Sequence, residues 1–275
     1  MKTKITILGS GTSTGVPLLG CSCAVCTSDN PKNKRLRTSF FLQTKKGNHI
    51  LIDATPDLRT QLLRANIKNV DQTIITHDHA DHVHGIDDLR PFCFGPPPRS
   101  LPVYTHKECH KALIERFPYI FEKDYFNENR PVLGGGIPRL HINEVNSDGE
   151  DVDINGDNFQ FHLLPHGHHK SMGIIHGRIG IFIDCSTIPT PVVKKLNGLS
   201  LDLLIIDCVN NGKHKTHLTT ETAFELIKRI SPKKALLIHM GHRLEHNQLE
   251  ELCRVEFKDS TIDVSVTYDT MHIEV

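Results

Sequence analysis

Four side chains of metal-ligating type, His77, His79, Asp81 and His82, are packed into the segment Thr76-His77-Asp78-His79-Ala80-Asp81-His82. Imidazole and carboxylate are the donors that borderline and hard divalent ions select. The apolar run Thr73-Ile74-Ile75 just before reads as the end of a buried strand, so these ligands fall on the loop that leaves it. In extended backbone, residues two apart point the same way, which lets His77 and His79 share one ion. Asp81 and His82, at the following turn, reach a second. The chemistry this implies is that of a metallohydrolase with a pair of cations.

A second cluster has a different character. Cys21-Ser22-Cys23-Ala24-Val25-Cys26 supplies three thiolates, one short of a closed tetrahedral zinc site, so a fourth ligand must come from far away in sequence. Thiolates that saturate zinc leave no open position, and the ion is expected to be structural. The preceding Gly9-Ser10-Gly11-Thr12-Ser13-Thr14-Gly15 fits neither a P-loop nor a dinucleotide-binding fingerprint; it reads as a tight turn or as a phosphate contact.

These residues need elements to position them. Lys4 to Leu8 alternates and predicts a first strand; Ser39 to Leu42 and His49 to Ile52 predict a hairpin ending in Asp53, a candidate for orienting the metal ligands from behind. Leu58 to Ala65 has helical spacing, with Asp57 as a possible cap. A helix beginning at His84 should stop before Pro91, Leu101 to Thr105 reads as a strand and His106 to Phe117 as a helix. Five apolar strands then hand a His or Asp to the loop at their carboxyl end. They are the strand before His77, Asn158 to Leu164 before His166-Gly167-His168-His169, Gly180 to Ile183 before Asp184, Leu203 to Ile206 before Asp207, and Ala235 to Ile238 before His239. A repeated strand-then-ligand pattern is the sign of a site assembled along one edge of a sheet.

Composition sets limits on the partners. Lys plus Arg equals Asp plus Glu at 32 each and the pI is 7.3, so no global field would hold a polyanion. A long nucleic acid is disfavoured and a small anionic substrate is not. The N-terminal apolar stretch is too short for a signal peptide and no window of about 18 apolar residues exists, which predicts a soluble, cytoplasmic protein without a membrane partner. With 275 residues and no low-complexity linker, the chain is expected to be one domain, 1–275, with the Cys-rich loop at 20–27 and an insertion or lid within 91–139.

H-x-H-x-D-H at His77 to His82, followed by a later His, a later Asp at a strand end and a final His, resembles the metallo-β-lactamase fold superfamily over essentially the whole chain. The segment from Gly9 to Pro17, the three cysteines and the close pair His239 and His242 narrow the resemblance to the PhnP type, the phosphoribosyl cyclic phosphodiesterases and their relatives. The resemblance implies an α/β, four-layer αββα sandwich. It implies one active-site cation, Zn or Mn, on His77, His79 and His166, a second on Asp81, His82 and His239, and Asp184 bridging the two. His168 is the alternative to His166 as the middle ligand. His242 would complete a structural zinc with Cys21, Cys23 and Cys26, and His217 sits where relatives carry a histidine that acts on the leaving group. Relatives are often homodimers.

The expected function is hydrolysis of a small, cyclic or nucleotide-like phosphodiester by a metal-bound hydroxide, with His217 as general acid and Asp184 orienting. A thioesterase or lactonase, an RNA-processing nuclease and a non-catalytic zinc protein are the alternatives.

Overall fold

The computed structural model describes residues 2–94, 97–122, 125–126 and 136–275. Strand β1 (Lys4–Gly9) is followed, beyond the Cys-rich loop, by the hairpin β2 (Ser39–Gln43) and β3 (His49–Ile52), then α1 (Leu58–Arg64), β4 (Gln72–Ile74) and the single turn α2 (Ala80–Val83). Next come β5 (Leu101–His106), α3 (Lys107–Arg116), α4 (Pro118–Phe121) and β6 (Leu140–Val145). The chain continues through β7 (Glu150–Ile154), β8 (Asp157–His166), β9 (His169–His176), β10 (Ile179–Phe182), α5 (Thr190–Leu199) and β11 (Leu203–Asp207). It ends with α6 (Thr220–Ile230), β12 (Lys234–Ile238), α7 (His246–Glu256), β13 (Asp263–Val266) and β14 (His272–Glu274).

The described strands form two seven-stranded sheets, ordered β14-β1-β2-β3-β4-β5-β6 and β13-β12-β11-β10-β9-β8-β7. Starting from β14 in one and β7 in the other, each shows three antiparallel pairings and then three parallel ones. This pattern fixes strand directions. Within the first sheet β1, β3 and β4 run the same way, as do β8, β10, β11 and β12 in the second, so their carboxyl ends share a sheet edge.

Between the sheets lies an apolar layer, with Ile5, Phe40, Ile52 and Ile74 from one facing Phe161, Ile174, Ile205 and Leu236 from the other. Leu58, Leu62 and Leu113 pack helices on the outer face of the first sheet, and Val193, Leu196, Phe224, Ile227 and Leu249 do so on the second. The result is the four-layer αββα sandwich. Strands buried on both faces read as continuous aliphatic runs, which is why Leu203 to Ile206 and Ala235 to Ile238 were visible as strands.

Some local expectations are corrected. In place of a helix from His84 to Arg90 there is the turn α2 and then a 3-10 helix, Ile86–Cys93, that carries Pro91 inside it. Gly85 stands at the break, where the chain presses so closely on Thr55 that a Cβ would lie 1.9 Å from its carbonyl oxygen. Asp57 occupies the N-cap of α1 without a capping bond; its carboxylate instead accepts from the Arg37 backbone N–H at 3.0 Å and pairs with its guanidinium. Of 91–139, residues 101–121 run through β5, α3 and α4 of the fold itself, while 95–96, 123–124 and 127–135 lie outside the described residues. No helix among the described residues is long and apolar enough to cross a membrane.

Candidate metal centre

Asp53, Asp184 and His239 are the first residues past the ends of β3 and β12 and two past the end of β10, and all three have left-handed backbone, with φ of 64°, 50° and 65°. Such conformations are costly for non-glycine residues and persist where surrounding bonds hold them. Here they turn Asp184 and His239 toward each other and Asp53 onto the back of the His82 ring.

Asp184 is the hub. Its Oδ2 lies 3.1 Å from His82 Nε2, and its Oδ1 lies 3.1 Å from His239 Nε2 and 3.4 Å from His217 Nδ1. Asp81 Oδ2 is also 3.1 Å from His82 Nε2. On the other side His166 Nε2 stands 3.2 Å from His79 Nδ1, and His77 completes that group, with all ligand atoms within 4.8 Å of one another. The chain therefore brings His77, His79, Asp81, His82, His166, Asp184, His217 and His239 together. His168 is exposed and joins no ligand cluster among the described residues, whereas His169 faces Asp78, at 3.3 Å.

Three of the imidazoles are held from behind. Asp53 accepts from His82 Nδ1 at 2.7 Å and from the Thr76 N–H and hydroxyl at 2.7 and 2.9 Å. His166 Nδ1 donates to the Thr216 carbonyl at 2.9 Å, and His239 Nδ1 lies 3.0 Å from the Thr38 hydroxyl. These contacts aim the opposite nitrogens inward. His77 Nε2 is buried there without a hydrogen-bond partner, and His82 Nε2 faces Asp184 Oδ2 and Asp81 Oδ2, each at 3.1 Å, without well-aligned hydrogen bonds. Leaving one such atom unpaired costs about 1–3 kcal/mol, so several converging in one volume fit the donor set of divalent cations.

Electrostatics follow from the packing. Burial and the neighbouring His82 push His77 well below its ordinary value, which keeps it neutral and able to ligate. Burial alone would raise Asp184, but His239 and His82 hold it well below the usual carboxylate range. For His217 burial acts downward and is outweighed by Asp207 and Asp184, so its pKa rises to about 9. Asp207 Oδ2 sits 3.0 Å from His217 Nδ1 and is fully buried. Sequence reasoning placed Asp207 at a strand end but gave it no role; nor did it find Thr38, Thr76 or Thr216, whose hydroxyls and carbonyl carry no chemical signature of their own.

The thiolate loop closes as a separate cluster. His242 Nδ1 lies 3.3, 3.5 and 3.7 Å from the sulfurs of Cys21, Cys23 and Cys26. Tetrahedral zinc with bonds of ~2.3 Å to sulfur and ~2.1 Å to nitrogen separates them by about 3.6 Å, which these distances bracket. The Cys26 backbone N–H and His242 draw the Cys23 thiol down to about 6, so it is largely thiolate at neutral pH.

Residues 48–240 match the model of the beta-lactamase superfamily domain. A crystal structure of a diphosphatase from the PhnP family superposes with a TM-score of 0.86 at 31% identity, over 100% of this chain and 98% of that one. Zinc-bound PqqB from Methylobacterium extorquens has the same fold, with a TM-score of 0.75 at 16% identity, covering 99% of this chain and all of that one. Among curated sequences, an octanoyltransferase of Porphyromonas gingivalis is 35% identical over 245 residues, 88% of this chain and 46% of that protein. Coenzyme PQQ synthesis protein B of Rhodopseudomonas palustris is 29% identical over 154 residues, 49% of each chain. This chain thus spans just under half the length of these curated relatives.

Proposed function

The chain belongs to the beta-lactamase superfamily and, within it, to the PhnP family of metal-dependent hydrolases; from that premise we propose that it cleaves a small phosphodiester, with His217 as the acid that releases the alcohol. His77, His79 and His166 would hold one cation, Asp81, His82 and His239 the other, with Asp184 between them. Bound there, divalent ions neutralise charge on a phosphoryl group and bring the pKa of water toward about 7.

The chain's own residues do the rest. Asp53, Thr38 and the Thr216 carbonyl fix the imidazole rings so that no reorganisation is needed as charge develops. His217, only 12% exposed at its side chain, lies 3.4 Å from the hub carboxylate Asp184 and keeps its proton because Asp207 sits on Nδ1. The ring's other nitrogen, Nε2, is then the one that donates to the departing oxygen. The placement of His217 between Asp207 and the hub carboxylate carries the proposal, since an alkoxide is a poor leaving group that needs an acid, and the release of an aryl oxide or thiolate needs none.

The PhnP-family relative is a diphosphatase, which favours a phosphoanhydride as the second reading. The name of the Porphyromonas protein brings in acyl transfer, though this chain matches under half of it. Parallel assays on a cyclic phosphodiester, bis(p-nitrophenyl) phosphate, a nucleoside diphosphate ester and an octanoyl thioester separate these. The proposal requires phosphodiester turnover, and it requires His217→Ala to slow the alkoxide-releasing substrate by about 10²–10⁴-fold while sparing the p-nitrophenyl one. Equal losses on both substrates, or turnover of the thioester alone, overturn it.

A further inference from the structure

The glycine-rich segment after β1 delivers a side chain that none of the roles above uses. Gly9 is pressed so closely that a Cβ would lie 2.0 Å from the Arg37 carbonyl oxygen, and a Cβ on Gly11 would meet Arg35 Cβ at 2.9 Å. The glycines let the chain pass between residues 35–37, which lead into β2, and the segment after β12. There it is riveted in place. The Ser10 N–H and hydroxyl both donate to Asp269, at 2.9 and 2.7 Å, and the Met240 N–H donates to the Ser10 carbonyl at 3.0 Å. The Gly11 and Thr12 N–H groups donate to the Leu36 and Met240 carbonyls at 2.8 and 3.2 Å, and the Gly15 N–H closes back on the Thr12 carbonyl at 2.8 Å. The amides of Gly11, Thr12 and Gly15 are therefore spent inside the protein. These three N–H groups are not free to cradle a phosphate.

What the loop builds is a fixed hydroxyl. Thr12 Oγ1 stands 3.2 Å from His239 Nε2, its one hydrogen-bond partner among the described residues, and Thr12 is half-buried, at the border of the buried cluster. His239 is already oriented from its other side by Thr38. Nε2 is the nitrogen that faces Asp184 and would give its lone pair to a cation. Once that lone pair is given, the Thr12 hydroxyl loses its acceptor, while Asp184 Oδ1 is already faced by His239 and His217.

We propose that the Thr12 hydroxyl is a substrate-binding group, donating a hydrogen bond to a non-bridging oxygen of the phosphoryl group held at this site. This rests on the phosphodiesterase reading above. Inorganic phosphate, which carries the same oxygens, should be held by the same donor.

The test compares wild type, Thr12→Val, which keeps the shape without the hydroxyl, and Thr12→Ser, which keeps the hydroxyl. Bound metal, kcat and KM on the cyclic phosphodiester, and inhibition by inorganic phosphate are measured on each. Loss of a hydrogen bond to a charged group predicts a fall in kcat/KM of about 10- to 100-fold for Thr12→Val. Metal content stays at the wild-type level, phosphate inhibits correspondingly less well, and Thr12→Ser recovers most of both. Wild-type behaviour of Thr12→Val overturns the inference. So does loss of metal in step with activity, because Thr12 would then act only by positioning His239. A wild type that does not turn over the phosphodiester removes the reading on which the inference rests, and the wild-type arm alone reveals that case.

Discussion

Replacing Asp207 by Asn tests the proton economy of the site with little change of shape. Asp207 Oδ2 accepts from His217 Nδ1 at 3.0 Å and from the N–H groups of Cys185 and Leu218 at 3.3 Å, all of which an amide oxygen can still accept. Its Oδ1 has no partner, so an NH₂ group placed there displaces no bond. What the substitution removes is the charge. The pKa of His217 stands at about 9 against an ordinary 6.5, with Asp207 the strongest of the groups raising it. Losing the strongest of them should return on the order of one unit or more, a tenfold change in the ratio of protonated to neutral imidazole, or about 1.4 kcal/mol.

The sign follows from the role. A general acid works protonated, so the rate is retained at low pH and falls as pH rises through the pKa of His217. In Asp207→Asn that falling limb moves to lower pH by about a unit or more. Cations bound beside Asp184 act on both proteins alike, and the difference between the limbs is the quantity to read. The assay is the pH dependence of kcat/KM on a phosphodiester with an alkoxide leaving group, from about pH 5.5 to 10, where protonation of the group can be followed on both sides. Superimposable limbs refute the reasoning. A loss of the same size at every pH refutes it too, since that would report damage to the site and not a moved proton.

Asp53→Asn should weaken metal binding by about 10- to 100-fold, because an amide donor facing His82 Nδ1 favours the tautomer with its proton on Nε2, the nitrogen aimed at Asp184; titration of the metal-free protein with Zn or Mn checks this, and unchanged affinity counts against Asp53 as orienter. His166→Ala should lower the bound active-site metal while His168→Ala leaves it at the wild-type level, as elemental analysis of the two purified variants will show. Phe40→Ala, which empties a fully buried position between the sheets, should cost about 3–5 kcal/mol in chemical denaturation. A loss below 1 kcal/mol would mean that the two sheets do not depend on that layer.

How much of this was legible in the sequence depended on whether a residue's own chemistry or its surroundings define its part. The aliphatic strands β11 and β12 declare themselves because they are buried on both faces, and the imidazoles and carboxylates at their ends declare themselves by type. Strand β9, His-Lys-Ser-Met-Gly-Ile-Ile-His, does not. Its sequence does not alternate cleanly and has a glycine at its centre, and it is a strand because β8 and β10 hydrogen-bond to it on both sides. Gly173 is required there by a side chain of the next strand, since a Cβ would lie 2.6 Å from the Phe182 ring. The edge strands β13 and β14, four and three residues long, are likewise set by pairing and not by pattern.

The same division runs through the metal centre. His77, His79, Asp81 and His82 were readable from spacing, but the left-handed backbone at Asp53, Asp184 and His239 was not, because Asp and His enter that region more often than most residues but only where the surroundings hold them there. That conformation is imposed from outside, for Asp53 by the Asp53 N–H bond to Ile74, the Ser39 hydroxyl on its carbonyl and its carboxylate bonds to Thr76 and His82. Asp207 shows the limit most clearly. It ends an apolar strand just as the ligand-bearing strands do, yet its carboxylate faces the His217 imidazole and two backbone N–H groups and is itself a member of no ligand cluster among the described residues. Whether a buried carboxylate meets a cation or a histidine is decided by what the opposite loop brings to it, and that loop, carrying His214 to His217, is placed by the fold and not by its own sequence.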